Sequence, residues 1–163
     1  MSAEAVEARA PLLRPIGLAT ALSGSLDILL AMGLTVVYGR HIPDMLRYVA
    51  SGPFPAATDM GGAGAILGLL VHFGLMAIMA TAFMATVRGR PSLLKRIWLT
   101  GIAFGLISYL IMNWLVVPIR FGTPLPPKPV SIATQLFAHI VLVGLMFAAI
   151  ARRTLCPERP EEA

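Results

Sequence analysis

Four long apolar stretches, Ile16–Tyr38, Gly64–Thr86, Ile97–Ile119 and Ile132–Ala151, constrain this chain more than any other feature of its sequence. A helix needs about 20 mostly apolar residues to cross the hydrocarbon of a bilayer, and each stretch meets that length. No strand-like alternation competes with them. Only a helix satisfies its own backbone hydrogen bonds within one segment, so four spanning helices are the reading. Composition agrees: 57% of the 163 residues are hydrophobic, 13% are charged, and mean hydropathy is +0.80. Soluble domains are roughly 25% charged, which excludes an ordinary globular enzyme, and disordered chains are polar, which excludes disorder. The expected fold is all-α, an integral membrane antiparallel four-helix bundle forming one domain over 1–163. Charged tails occupy 1–14 and 152–163.

Charge in the flanks predicts direction. Arg9, Arg14, Arg88, Arg90, Lys95, Arg96, Arg152, Arg153 and Arg159 fall on one side, and Arg40, Arg47, Arg120 and Lys128 on the other. By the positive-inside rule both termini are cytoplasmic, and Trp98 beside Lys95 and Arg96 is an interfacial anchor. The net charge of +5 is therefore a topology signal, with no basic face of interleaved aromatics for nucleic acid. The first span continues well past the weak cleavage-like Ala21-Leu22-Ser23, so it is read as a retained helix. A lone cysteine, Cys156, excludes an intramolecular disulfide.

Between the first two spans, Pro43 can open a short interfacial helix whose Met45, Leu46 and Val49 share one face. Pro124, Pro126, Pro127 and Pro129 make the last connection a stiff extended strap. Gly64 with Gly68, Gly101 with Gly105, and the Gly17, Ala21, Ser25 face are small-residue patterns that let helices approach closely. They serve packing within the bundle, with homodimerisation through the same faces as the alternative. The bilayer itself is the expected partner.

Polar groups inside the spans carry the functional information, because a charged group near the bilayer centre costs about 2.5–3.5 kcal/mol on insertion scales. Each span has one: Asp27, His72, Asn113 and His139. Counted from the outer ends, they lie roughly 16, 12, 9 and 10 Å deep at 1.5 Å per residue. Same-face spacing adds Ser23 before Asp27, Tyr109 before Asn113 and Gln135 before His139. Met76 and Met79 follow His72 on one face. The plain structural reading is that Asp27 is hydrogen-bonded inside the bundle, the histidines and Asn113 pin helices together, and the methionines fill space.

Gly24-Ser25-Leu26-Asp27-Ile28-Leu29, Val71-His72-Phe73, Tyr109-Leu-Ile-Met-Asn113-Trp114 and His139-Ile-Val-Leu-Val-Gly144, in this order and spacing, resemble a family of uncharacterised bacterial four-span inner-membrane proteins. That family is similar to the YagU-like proteins. The resemblance covers the four spans. It implies a small multi-pass protein of the bacterial inner membrane, points to Asp27, His72, Asn113 and His139, and supplies neither substrate nor cofactor.

Three functions fit these residues. The favoured one is a polar intramembrane site in the outer half, formed by Asp27, His72, Asn113 and His139 with Tyr109 and Gln135. It would serve small-solute or proton-linked binding or transport. The second is a redox component, with His72 and His139 ligating haem, or copper with Met76 or Met79; it is open but not favoured. The third is a non-catalytic membrane accessory subunit whose polar layer only sets helix register. Ser23, Ser25 and Ser108 stand in no nucleophile motif, so an enzyme is not favoured.

Overall fold

The computed structural model describes residues 11–155; Arg9, Cys156 and Arg159 of the tails lie outside them. Among the described residues the regular structure is entirely helical. Four helices are long and apolar enough to cross a membrane: α1 (Leu13–Val37), α3 (Gly61–Gly89), α4 (Pro91–Phe121) and α5 (Pro129–Leu155). Each begins before its expected span, and all but α1, which stops at Val37, also end beyond it, because polar and glycine-containing ends remain helical beyond the apolar centre. A shorter helix, α2 (Ile42–Ser51), lies between α1 and α3.

Sequence chemistry explains the element ends. His41 is extended and Pro43 stands in the first turn of α2, where its missing N–H costs nothing. Gly122, at φ 62°, closes α4 and donates its N–H to the Pro118 carbonyl at 2.8 Å. Within α4, residues Ile111–Val116 form a widened π-helical turn. Pro118 follows it directly: the ring cannot donate to the Trp114 carbonyl one turn back and crowds it, which favours the wider turn. A second π-helical stretch, Ala138–Leu145, runs through α5.

One apolar cluster joins all four long helices at the end opposite α2. Phe83 of α3, Phe104 of α4 and Phe147 of α5 meet with ring centroids 4.9 and 5.9 Å apart, and Ala19 of α1 packs into the same cluster. The outside is apolar too, with Leu70 65% and Ile78 66% exposed. A helix bundle that is apolar outward as well as inward is built for a hydrocarbon surround.

Glycines decide which helices touch. A Cβ at Gly105 would collide with the His139 carbonyl, and one at Gly144 with the Gly101 carbonyl, so α4 and α5 meet backbone to backbone. Gly64 and Gly68 receive a different partner from the spanning helix their spacing suggests. Gly68 lies against the Leu46 backbone of α2, and Gly64 against the Ala57 carbonyl in the turn Pro55–Asp59. Gly101 and Gly105 are thus covered by α5, and Gly68 and Gly64 by α2 and the turn after it. Gly17, Ala21 and Ser25 form an exposed face of α1.

Thus α2 does not merely float at an interface. Leu46, Ala50 and Ser51 are buried, with Met45 and Val49 half-buried beside them. The end of α4 clasps it: Arg120 donates to the Ser51 carbonyl at 2.7 Å and the Gly52 carbonyl at 2.5 Å, and Phe121 stacks on Tyr48 at 4.3 Å. These are the last carbonyls of α2, where a cation is favoured by the helix dipole.

Candidate functional site

Hydroxyls in the long helices set the standard against which the polar residues stand out. Thr35, Thr81, Thr86, Thr134 and Thr154 each donate to the carbonyl four residues back, at 2.7 to 3.0 Å. Such bonds hide the hydroxyl within its own helix and suit an apolar surround. Thr20 and Ser23 on α1 depart from this pattern: both oxygens are buried and have no partner among the described residues. Buried polar atoms are normally paired, so these two are exceptional.

Asp27 follows on the same face of α1, seven residues after Thr20 and four after Ser23. Across from it on α3, His72 is buried. Its Nε2 lies 2.9 Å from the Gly24 carbonyl, and its Nδ1 faces the Asp27 carboxyl at 4.0 Å. A carbonyl can only accept, so Nε2 carries a hydrogen. The remaining nitrogen, Nδ1, faces Asp27, and among the described residues no other carboxyl lies within 4.0 Å of it. A single proton placed on either group leaves the pair net neutral. The Asp27 side chain is 26% open against 11% for His72, so the carboxyl is the accessible member. Phe73 packs edge-on to His72 at 5.2 Å and fills the space beside Gly24, where a Cβ would approach its ring to 2.8 Å.

His139 on α5 is arranged differently. Its Nδ1 lies 3.0 Å from Ser108 Oγ, while that hydroxyl donates to the Gly105 carbonyl at 2.9 Å. With the hydroxyl hydrogen committed there, Ser108 accepts from His139 Nδ1–H. Asn113 Nδ2 then reaches His139 Nε2 at 3.5 Å and the Tyr109 carbonyl at 3.4 Å. Tyr109 packs edge-on to the imidazole at 6.1 Å, and its hydroxyl accepts from Trp114 Nε1 at 3.1 Å. The neutral imidazole with its hydrogen on Nδ1 satisfies every one of these bonds.

The four polar residues thus form two pairs, Asp27 with His72 between α1 and α3, and Asn113 with His139 between α4 and α5. Among the described residues no hydrogen bond joins one pair to the other. Gln135 is half-buried one turn before His139 and makes no side-chain hydrogen bond among them. Met76 is buried at 4% exposure and Met79 packs beside it, both against the apolar cluster. Among the described residues no three histidine, cysteine or acidic side chains gather as metal ligands would.

Ser108 and Trp114 are the members that sequence spacing alone does not mark. Ser108 and Asn113 are five apart, as are Tyr109 and Trp114. In a regular helix that spacing places them on different faces. The widened turn at Ile111–Val116 inserts the extra residue that turns Asn113 and Trp114 back to their partners. Pro118 is the one sequence signal that could have suggested it. Comparison with protein-family models, curated proteins and solved structures finds no match for this chain.

Proposed function

We propose that this is a multi-pass protein of a bacterial inner membrane, both termini cytoplasmic, whose α1–α3 pair takes up a proton on one side and releases it on the other. The observation that carries this reading is the bonding of His72. One ring nitrogen is held by the Gly24 carbonyl, and the other is directed at an accessible carboxyl on the facing helix. Intramembrane carboxyl–imidazole pairs of this kind mark proton pathways. The unpartnered Thr20 and Ser23 hydroxyls continue the same face of α1 and add two buried oxygens to the polar stripe beside Asp27. The likeness to the four-span family is in keeping with this placement and adds no substrate.

The test is proton movement in vesicles of defined lipid loaded with a pH-sensitive dye. Wild-type protein collapses an imposed pH gradient, and both Asp27→Asn and His72→Gln abolish the collapse. Unchanged dye traces with Asp27→Asn would end the proposal.

A second reading draws on α4 and α5. Both nitrogens of His139 are engaged inside the chain, as a helix fastening requires. On this reading the protein is an accessory membrane subunit and the polar layer maintains register. It is preferred if substitutions at Asp27 and His139 alter stability alike and proton flux is absent from the wild type.

A further inference from the structure

The end of the bundle away from α2 carries a feature that the proton-linked reading does not use. After α3, α4 opens with the 3₁₀ turn Pro91–Arg96, and the last turn of α5 comes alongside it. Between them lies a groove of about 510 Å³ lined by Pro91, Ser92, Leu94, Lys95 and Arg152. Its two cations come from different helices. Leu94 is buried at 5% exposure and forms an apolar floor under them. Thr100 holds the turn in place by donating to the Leu93 carbonyl at 2.6 Å.

Charge around the groove is one-sided. Arg88, Arg90, Arg96 and Arg153 stand within a few residues of its lining, and no aspartate or glutamate occurs between Asp59 and Glu158. Two cations and a hydroxyl around a concave space form a donor set for a phosphate group. The remaining observations choose the kind of phosphate. Trp98, 70% exposed, stands one turn along α4 from Lys95, and Leu99 and Ile102 continue outward at 59% and 42%. An indole at the start of an exposed apolar helix face is how a protein meets the headgroup level, with acyl chains lying beyond.

We infer that this groove binds the phosphate of an anionic phospholipid, with Lys95 and Arg152 contacting the headgroup, Ser92 donating to it, and the acyl chains lying along α4. Basic pockets between spanning helices hold anionic headgroups by this combination of charge and position. Each cation near such a surface contributes about a fivefold gain in affinity. Removing both therefore lowers affinity about 25-fold.

The experiment is native mass spectrometry of the full chain in neutral detergent, titrated with phosphatidylglycerol or phosphatidylcholine. Phosphatidylglycerol stays bound and phosphatidylcholine does not. Lys95→Gln with Arg152→Gln removes the retention, Lys95→Arg keeps it, and Arg153→Gln, outside the lining, lowers it by no more than about fivefold. Equal retention of the two lipids overturns the proposal, as does a double variant indistinguishable from Arg153→Gln. Glycerol 3-phosphate supplies the remaining arm. If it displaces the lipid at matching concentration, the groove serves a soluble phosphate compound and the lipid assignment fails. Helical circular dichroism and monodisperse elution of each variant separate lost binding from lost fold.

Discussion

His72 holds its Nε2 at 2.9 Å from the Gly24 carbonyl and turns Nδ1 to Asp27 at 4.0 Å, whereas His139 has both nitrogens engaged by Ser108 and Asn113. The two imidazoles therefore carry their hydrogens on opposite nitrogens. One pair is left open to a proton, and the other is closed.

That difference is visible by nitrogen NMR. In ¹⁵N-histidine-labelled protein in micelles at neutral pH, His139 gives the signature of the Nδ1–H tautomer and His72 that of a ring protonated at Nε2. Ser108→Ala shifts only the His139 signals, and Asp27→Asn only those of His72. The same tautomer at both sites would contradict the bonding described.

The α4–α5 contact depends on the absence of side chains at its crossing. Gly105→Ala and Gly144→Ala each place a Cβ against facing backbone, which cannot yield as a flexible side chain would. Each loses about 1–3 kcal/mol of stability in detergent unfolding. Gly17→Ala, with nothing within 4 Å of its Cβ, stays within about 0.5 kcal/mol of wild type. Equal effects at Gly17 and Gly105 would show that the two helices do not meet where described.

Helix α2 is held from below by Gly68 and at its C-terminus by Arg120. Arg120→Ala removes donors from the Ser51 and Gly52 carbonyls. Discounted for exposure, the loss is roughly 1 kcal/mol. Hydrogen exchange reads this as about fivefold faster amide exchange confined to α2, with the long helices unaffected.

Tyr48, stacked on Phe121 outside the spans, offers a pH readout. Burial raises its phenol above the ordinary value of 10.0. Because burial favours the neutral form, the contact is fully present below pH about 10 and weakens as pH rises through the raised value. Tyrosinate absorbance isolates the Tyr48 step as the part lost in Tyr48→Phe, and Phe121→Ala brings that step down. A Phe121→Ala titration that overlays the wild type would rule out this cover.

Ser108→Ala measures the histidine fastening directly. It leaves His139 Nδ1–H without an acceptor, and interhelical bonds in membrane proteins average about 0.6 kcal/mol. A double-mutant cycle with His139→Ala returns a coupling of that order in detergent unfolding. Zero coupling would mean the 3.0 Å contact contributes nothing to stability.

The number of spanning helices and the residues in them are legible in the sequence, because apolar length is a local property that needs no knowledge of neighbours. Pro43 opening α2 is local as well. So are the four intramembrane polar residues, and their neighbouring depths, with Asp27 about a turn deeper, suggested one site. Partnership is not local. Only the tertiary structure divided those residues into Asp27 with His72 and Asn113 with His139, since depth says nothing about the direction a side chain faces. It also gave Gly64 and Gly68 to α2 and its following turn, because a small-residue face accepts any backbone that reaches it. And it brought Ser108 and Trp114 into the network, because a widened turn before Pro118 shifts which residues share a face, and periodicity assumes an even helix.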